Sequence, residues 1–388
     1  MFKKVTVLRT KILPLSETFI KEQVLSYNRW TPTLVGQFHI ADGLNIEQCK
    51  YVTFEKKLDL ITNFKRKLYK LLKLPMAKDK KIIRQLDPDL IHVHFGVDAV
   101  INWPVLKSFD IPIVITLHGY DININKEWWH SGQGGIHMKN YPETLLNIAE
   151  HTNVSFIAVS QDIKSRALEF GIPKDKIDVS YIGIDTKSFV KSSCSFKDRK
   201  QVLFVGRLVE KKGCHILLDA FSEIQNQFPD VELKIIGSGP LENTLRESAK
   251  SLNINAVFLG SCTKHEVIHE LSQSLVLCLP SIHAKNGDAE GFGLVLLEAA
   301  ACGVPVITSA FGGAKEGVID GVTGFSFNEN DSIQLANKLR LLLSEPSMME
   351  VMGNEGRRFV EENFSIEKCT HSLENIYDQL IIKHNKQC

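Results

Sequence analysis

What most constrains this 388-residue chain is a rhythm that runs through it twice: short runs of Val, Ile, Leu and Phe alternate with helix-length amphipathic stretches. That alternation is the sequence form of parallel sheets whose strands are joined by helices. In the first half the strand candidates are KVTVL around Val5, TLVGQF, LIHVHF, IPIVITL and VSFIAV. In the second half they are QVLFVG, VELKIIG, AVFLG, LVLCLP and VPVIT. Most are nearly continuous in apolar residues, as expected of strands covered on both faces. Between the two series lies DTKSFVKSSCSFKDRK, polar and without apolar periodicity, which reads as a linker. The expectation is an α/β chain with two doubly wound, Rossmann-like domains, residues 1–188 and 200–364. They would face each other across a cleft at the carboxyl ends of their strands, where open α/β sheets bind ligands.

Composition narrows the class. A hydrophobic content of 44% suits a well-buried interior, and the net charge of +1 conceals a basic first half and an acidic second half. The eight cysteines form no Cys-x-x-Cys pair and no regular spacing with histidine, which argues against a disulfide framework or a structural zinc. MFKKVTVLRTKILPLSETFI lacks an apolar core with a cleavage site, and no run reaches the roughly 18 apolar residues of a spanning helix. A cytoplasmic protein that does not cross a membrane is expected.

Three motifs carry chemistry. In EGFGLVLLEAAACGVPVI, Gly291 and Gly293 bare the backbone where a helix starts, and Leu294, Leu296 and Leu297 begin its apolar face. A helix start presents unpaired N–H groups and suits a phosphate. Glu298 follows Glu290 by slightly more than two turns of about 3.6 residues, which puts both on nearly one face. In VLFVGRLVEKKGCHILLDAF, a strand leads into a turn with Arg207 and Lys212. A guanidinium fork with an ammonium suits a diphosphate leaving group that gains negative charge as its bond breaks. In TLHGYD, His118 and Asp121 stand just beyond the strand IPIVITL, at the ligand-binding edge of the first domain.

The chain resembles the glycosyltransferase family 4 proteins, retaining enzymes of the GT-B fold, over nearly its whole length. The matching pieces are LPLSETFI, HVHFG, TLHGYD, AVSQDIKSRALEFGIPKDKIDVSYIGID, VLFVGRLVEKKG, LKIIGSGPLENTLRE, EGFGLVLLEAAACGVPVI and GGAKEGVIDGVTGF. The resemblance implies that Arg207 and Lys212 bind the donor diphosphate, Glu290 the sugar hydroxyls and Glu298 the ribose, with His118 near the reacting carbon. It implies further donor contacts at Gly206, Gly239, Gly291, Phe292, Gly293 and Leu294, and acceptor-side contacts at Ser16, Glu17, Thr18 and Asp121. It also implies that the last helix, within 365–388, returns to the first domain; Ile366, Leu373, Ile376, Leu380 and Ile381 need a covering surface. The opening LSETFI is most similar to enzymes that build capsule, exopolysaccharide or lipopolysaccharide. Two departures stand out: Leu15 to Thr18 replace a Gly-Gly loop, and Ile182 to Asp185 read IGID rather than NGVD.

The expected activity is transfer of a hexose-type sugar from a nucleotide-diphosphate sugar to a glycan or polyprenyl-linked acceptor, with no cofactor and no essential metal. The Arg–Lys pair supplies the charge that a magnesium ion would otherwise bring. A non-catalytic nucleotide-sugar-binding subunit and a sugar-nucleotide epimerase on the same fold are the competing readings. GSGPLE, from Gly237 to Glu242, resembles a dinucleotide fingerprint, but Glu242 replaces its third glycine and a tight turn before a helix is the better reading. Asp87 and Asp89 flank Pro88 in a helix-to-strand turn rather than a metal site. From Lys56 to Arg84 the chain carries eleven basic and two acidic residues, with Leu58, Ile61, Phe64, Leu68, Leu71 and Leu72 near helical spacing. That composition fits a helix on an anionic membrane surface, at the inner face of the cell membrane, or a basic helix with an ordinary buried stripe. Nucleic acid is not expected, since no binding module accompanies the charge.

Overall fold

The computed structural model describes residues 2–40, 43–55, 59–191 and 193–386. Lys56, Lys57 and Leu58 of the basic stretch, and Cys388, lie outside the described residues. The chain divides into two compact units, Met1–Gly183 with Ile366–Cys388, and Ile184–Ser365.

In the first unit the strands are β1 (Lys3–Leu8), β2 (Lys11–Ile12), β3 (Trp30–Gly36), β4 (Phe38–His39), β5 (Tyr51–Thr53), β6 (Leu90–His94), β7 (Ile113–Leu117), β8 (Val154–Ala158) and β9 (Ile177–Val179). Seven form one parallel sheet in the order β5-β3-β1-β6-β7-β8-β9, and β2 pairs with β4 separately. The central strands β6 and β7 are buried at every position because helices cover both faces, which is why their sequences are unbroken apolar runs apart from His92, His94 and Thr116. The order of connection reverses between β1 and β6, so the loops that follow them part and leave a crevice at the strand ends.

The second unit repeats the plan with β10 (Gln201–Val205), β11 (Glu232–Ile236), β12 (Ala256–Gly260), β13 (Ser274–Leu279), β14 (Val306–Ser309) and β15 (Gly324–Phe327). They form a six-stranded parallel sheet in the order β12-β11-β10-β13-β14-β15, with its switch point between β10 and β13. The edge strand β12 is the most open, with Val257 and Leu259 exposed, and its neighbour β11 alternates over its first four residues.

The last helix, Ile366–Asn385, is part of the first unit. Ile366, Cys369, Thr370, Leu373, Glu374 and Tyr377 are buried, one stripe at helical spacing, and Ile376, Leu380 and Ile381 pack partly buried against the core around Val5, Trp30 and Leu90. The Glu374 carboxylate, fully enclosed, accepts the backbone N–H groups of Asn28, Arg29 and Trp30 at 2.9, 2.7 and 3.1 Å. A buried charge held by three donors fixes the helix axially as well as sideways.

The linker reading of residues 185–200 is corrected by the structure. Phe189 and Phe196 are buried in the second unit, Arg199 lies over the Phe196 ring at 3.9 Å, and Arg357 donates to the carbonyls of Phe189 and Thr186. The segment is an irregular strap anchored by isolated aromatics, so it has no period to read. The units meet in sequence at 183/184 and 365/366.

The basic stretch forms two helices, Leu60–Leu71 and Ala77–Leu86, divided near Pro75. The first is inverted relative to an ordinary surface helix. Arg66 points inward, buried, and forks between Asp79 (2.9 and 3.0 Å) and Glu55 (2.7 and 3.0 Å). Leu60, Ile61 and Phe64 point outward, 89%, 79% and 70% exposed, with Leu68, Leu71 and Leu72 also exposed. The stripe is therefore not a buried one. Among the described residues no helix is long and apolar enough to cross a membrane.

Candidate active site

In the second unit the switch point brings the loops after β10 and β13 together. The chain leaves β10 through half-buried Gly206, exposes Arg207, buries Leu208, and closes a single turn at Glu210–Lys212. Gly213 then takes a φ of +61°, and a Cβ there would lie 1.8 Å from the carbonyl oxygen of Pro280. Only glycine permits that approach, which seats Lys212 against the loop after β13. The turn Gly237–Gly239 backs the Arg207 loop: Leu208 N–H donates to the Ser238 carbonyl at 2.9 Å, and a Cβ on Gly237 would lie 1.9 Å from the Gly206 oxygen. GSGPLE is thus a tight turn ahead of the helix Glu242–Ser251, a brace for the Arg207 loop.

The two lysines of this turn are held differently from the arginine. Lys212 is ion-paired with buried Glu290, and Lys211 reaches Asp288 at 3.0 Å and the Ala289 carbonyl at 3.3 Å. Burial pushes the Glu290 carboxyl up, but Lys212 and Lys211, helped by the Gly291 N–H, pull it further down, so it stays below its ordinary range. Arg207 is exposed and makes no hydrogen bond or ion pair among the described residues. A free planar fork beside a neutralised Lys–Glu pair has the donors and charge that suit an anion.

The placing of both glutamates on one helix face is corrected. The helix runs Leu294–Ala301, and Gly293 caps it with φ +78°, so Glu290 lies in the preceding loop. The glycines delay the helix rather than starting it. Leu294, Val295 and Glu298 are its half-exposed positions, one face at spacings of three and four, while Leu296, Leu297, Ala299 and Ala300 are buried. Gly291 and Phe292 are buried, with Phe292 packed on Phe364 at 5.4 Å, so a ligand here meets backbone and not the Phe292 ring.

In the first unit the switch point gathers a different set. Arg9, one residue past β1, is buried and forks between Glu17 and Asp98, also donating to the His94 carbonyl at 3.2 Å. Burial raises the Glu17 carboxyl against the pull of Arg9. Glu17 is thus a structural partner of Arg9, whereas Ser16 is exposed and Thr18 half-buried at the start of the helix Thr18–Leu25. Asp121 has no exposed surface. Its carboxylate accepts the N–H groups of Gly96 (2.9 Å), His118 (3.0 Å) and Gly119 (3.0 Å), so it shapes the turn after β7 rather than meeting an acceptor. Burial still lifts it to about 6 against those three donors. His118 is only partly covered, lies between the rings of Phe19 and Phe95 at 5.1 and 4.3 Å, and has its Nε2 3.0 Å from His94 Nδ1. Phe95 itself has φ +71°, a strained value for a non-glycine residue that turns the β6 loop toward His118.

Sequence reasoning missed Arg9, Asp98, His94 and Lys211. Each stands at or just past the end of a central strand, or within the motif already read for Lys212, so strand-end position was the signal available for them.

Comparison with known proteins agrees with this geometry. Residues 185–359 match the model described as glycosyl transferases group 1, and residues 50–188 match glycosyltransferase family 4. An uncharacterised glycosyltransferase of Methanocaldococcus jannaschii is 31% identical over 303 residues, 78% of each chain. A GDP-mannose-dependent monoacylated α-(1-6)-phosphatidylinositol monomannoside mannosyltransferase of Corynebacterium glutamicum is 37% identical over about half of each chain, 50% and 51%. Among solved structures, Anabaena HepE in complex with UDP superposes with a TM-score of 0.76 at 19% identity, covering 97% of this chain and 100% of that one. With two doubly wound units and these matches, the chain belongs to the family 4 glycosyltransferases and has the GT-B fold.

Proposed function

We propose that this glycosyltransferase moves a hexose-type sugar from a nucleotide-diphosphate sugar to a glycan or lipid-linked acceptor of surface polysaccharide assembly, with retention of configuration and without a metal ion. The observation that carries the reading is the unpartnered Arg207 fork beside the Lys212–Glu290 pair at the switch point of the second sheet. An ammonium has three donors, so Lys212 can keep Glu290 and still reach a phosphate oxygen. The Anabaena neighbour with bound UDP and the GDP-mannose-dependent Corynebacterium relative support a nucleotide-sugar donor.

On this reading the C1–O bond to the diphosphate breaks and the acceptor oxygen bonds to C1 from the same face. Its proton passes to the departing phosphate oxygen. Arg207 and Lys212 stabilise the charge that grows there, Glu290 holds sugar hydroxyls, Glu298 holds the ribose, and His118 contacts the sugar. Transfer of labelled sugar to an acceptor extract, after a thermal-shift screen of nucleotide sugars, tests this. Donor binding without transfer or hydrolysis would leave a binding subunit instead.

The outward Leu60–Ile61–Phe64 stripe, flanked by exposed Lys65, Lys67 and Lys73, supports an acceptor presented at an anionic membrane surface. Inserting those three side chains among acyl chains contributes roughly 1.5–3 kcal/mol each. Sedimentation with anionic vesicles should fall with salt and be abolished in a triple Ser variant of Leu60, Ile61 and Phe64. Unchanged sedimentation in that variant rules the stripe out.

A further inference from the structure

Behind His118 runs a buried file of polar rings with no assigned role. His94 Nδ1 is 3.0 Å from His118 Nε2, and the His94 ring lies against His92 with centroids 4.2 Å apart. His92 is held at both nitrogens: Nε2 faces the Thr116 hydroxyl at 2.6 Å and Nδ1 the Tyr377 hydroxyl at 2.5 Å. Tyr377, from the last helix, is in turn 2.8 Å from the Tyr27 hydroxyl. The file is rigid because every polar atom in it is partnered except one, His94 Nε2, which is buried without a hydrogen-bond partner among the described residues.

That single orphan decides where the protons sit. Burial keeps His94 and His118 well below the usual imidazole range, with the Arg9 charge acting in the same direction, so each ring carries one proton at neutral pH. If His118 donated to His94, the His94 proton would have to sit on Nε2, an orphaned N–H in a dry interior and close to a guanidinium. Orphaned buried N–H groups are rarer than under-satisfied acceptors. The other arrangement puts a lone pair on His94 Nε2 and an N–H on its Nδ1, which then donates to His118 Nε2. His118 must then carry its own proton on Nδ1, and that atom makes no hydrogen bond among the described residues.

We propose that His94 is a positioning residue that fixes His118 as the neutral Nδ1–H tautomer, so that the exposed edge of His118 presents a donor to a sugar hydroxyl oxygen. The Thr116 and Tyr377 contacts fix His92, whose ring packs against His94 from behind. The proton assignment stands on the first unit alone, while the sugar as its target rests on the reading of His118 given above.

Long-range ¹H–¹⁵N correlation spectra of the full chain labelled with ¹⁵N-histidine, without ligand at neutral pH, read the tautomers directly. The expected result is Nδ1–H for His118 and His94, with peaks assigned through His118→Gln and His94→Asn. A wild-type His118 protonated on Nε2, or on both nitrogens, overturns the proposal. His94→Phe keeps the ring and removes the donor: the His118 Nε2 resonance should move to that of an imidazole nitrogen accepting no hydrogen bond, and kcat should fall about tenfold to a hundredfold with donor KM changed less than threefold. His94→Asn restores an N–H near the Nδ1 position and should recover the hydrogen-bonded His118 Nε2 shift and most of kcat. A His118 Nε2 resonance that does not move in His94→Phe also overturns the assignment. A correct tautomer with unchanged kcat in His94→Phe refutes the sugar contact and leaves the assignment intact.

Discussion

Replacing Lys212 with Ala isolates the pair on which the proposed donor site is built. Glu290 would keep the Gly291 N–H, the Ser281 hydroxyl at 3.5 Å and the field of Lys211, which is already committed to Asp288 and Ala289. Breaking a buried pair by removing one partner costs about 3–5 kcal/mol, and Lys211 places this case near the lower end, about 3 kcal/mol. In a unit this size that lowers the melting temperature by roughly 6–12 °C. The effect should be confined to the second unit. All four tryptophans, Trp30, Trp103, Trp128 and Trp129, lie in the first, so tryptophan emission serves as an internal control. Hydrogen exchange in the helix Leu294–Ala301 reads the second unit. Adding Glu290→Gln to Lys212→Ala removes the stranded charge and should recover most of the loss. The pH sense follows from Glu290, whose carboxyl is held down in the folded chain. Its stabilisation is complete above the unfolded carboxylate pKa of about 4.3 and is lost as pH falls through the lower folded value. In Lys212→Ala burial acts without the ammonium, so the gap between wild type and variant should be widest near neutrality and close below about pH 4. A gap of under about 0.5 kcal/mol at pH 7, or a double variant whose losses simply add, would refute the coupling.

Arg207→Ala should separate chemistry from stability: turnover falls about 10²- to 10³-fold, if the fork acts like one oxyanion-hole donor, while urea denaturation moves by less than about 0.5 kcal/mol because the side chain is exposed and unpartnered. Gly237→Ala should do the reverse in the brace. Its Cβ cannot coexist with the Gly206 oxygen 1.9 Å away, so a loss of about 2 kcal/mol by denaturation and about tenfold in nucleotide affinity by titration are expected.

Ten strands were readable because each is a short apolar run, and all but the edge strand β12 are largely buried. Five escaped: β2 and β4 are two residues long, β5 and β9 three, and β15 reads GFSF, with a glycine and a serine. Arg207, Lys212, Glu290 and Glu298 were visible because each sits in a motif whose order is local. The Arg9 network was not, since its partners lie 8 and 89 positions away and nothing in LRT announces them. Period alone also misses direction. The Leu60–Leu71 pattern gives a stripe, but which side faces inward depends on Arg66 finding Glu55 and Asp79, 11 and 13 positions off. The position of Glu290 failed for a backbone reason, the left-handed Gly293 that postpones the helix.

Retention at this site is tested most directly by following the product of an α-linked nucleotide-diphosphate sugar by time-resolved proton NMR, using a donor that the thermal-shift screen selects. Same-face displacement at the Arg207–Lys212 site predicts an α-linked product from the first turnover, with one nucleoside diphosphate released per bond formed. A β-linked first product, or donor consumed with no glycosidic bond made, would contradict it.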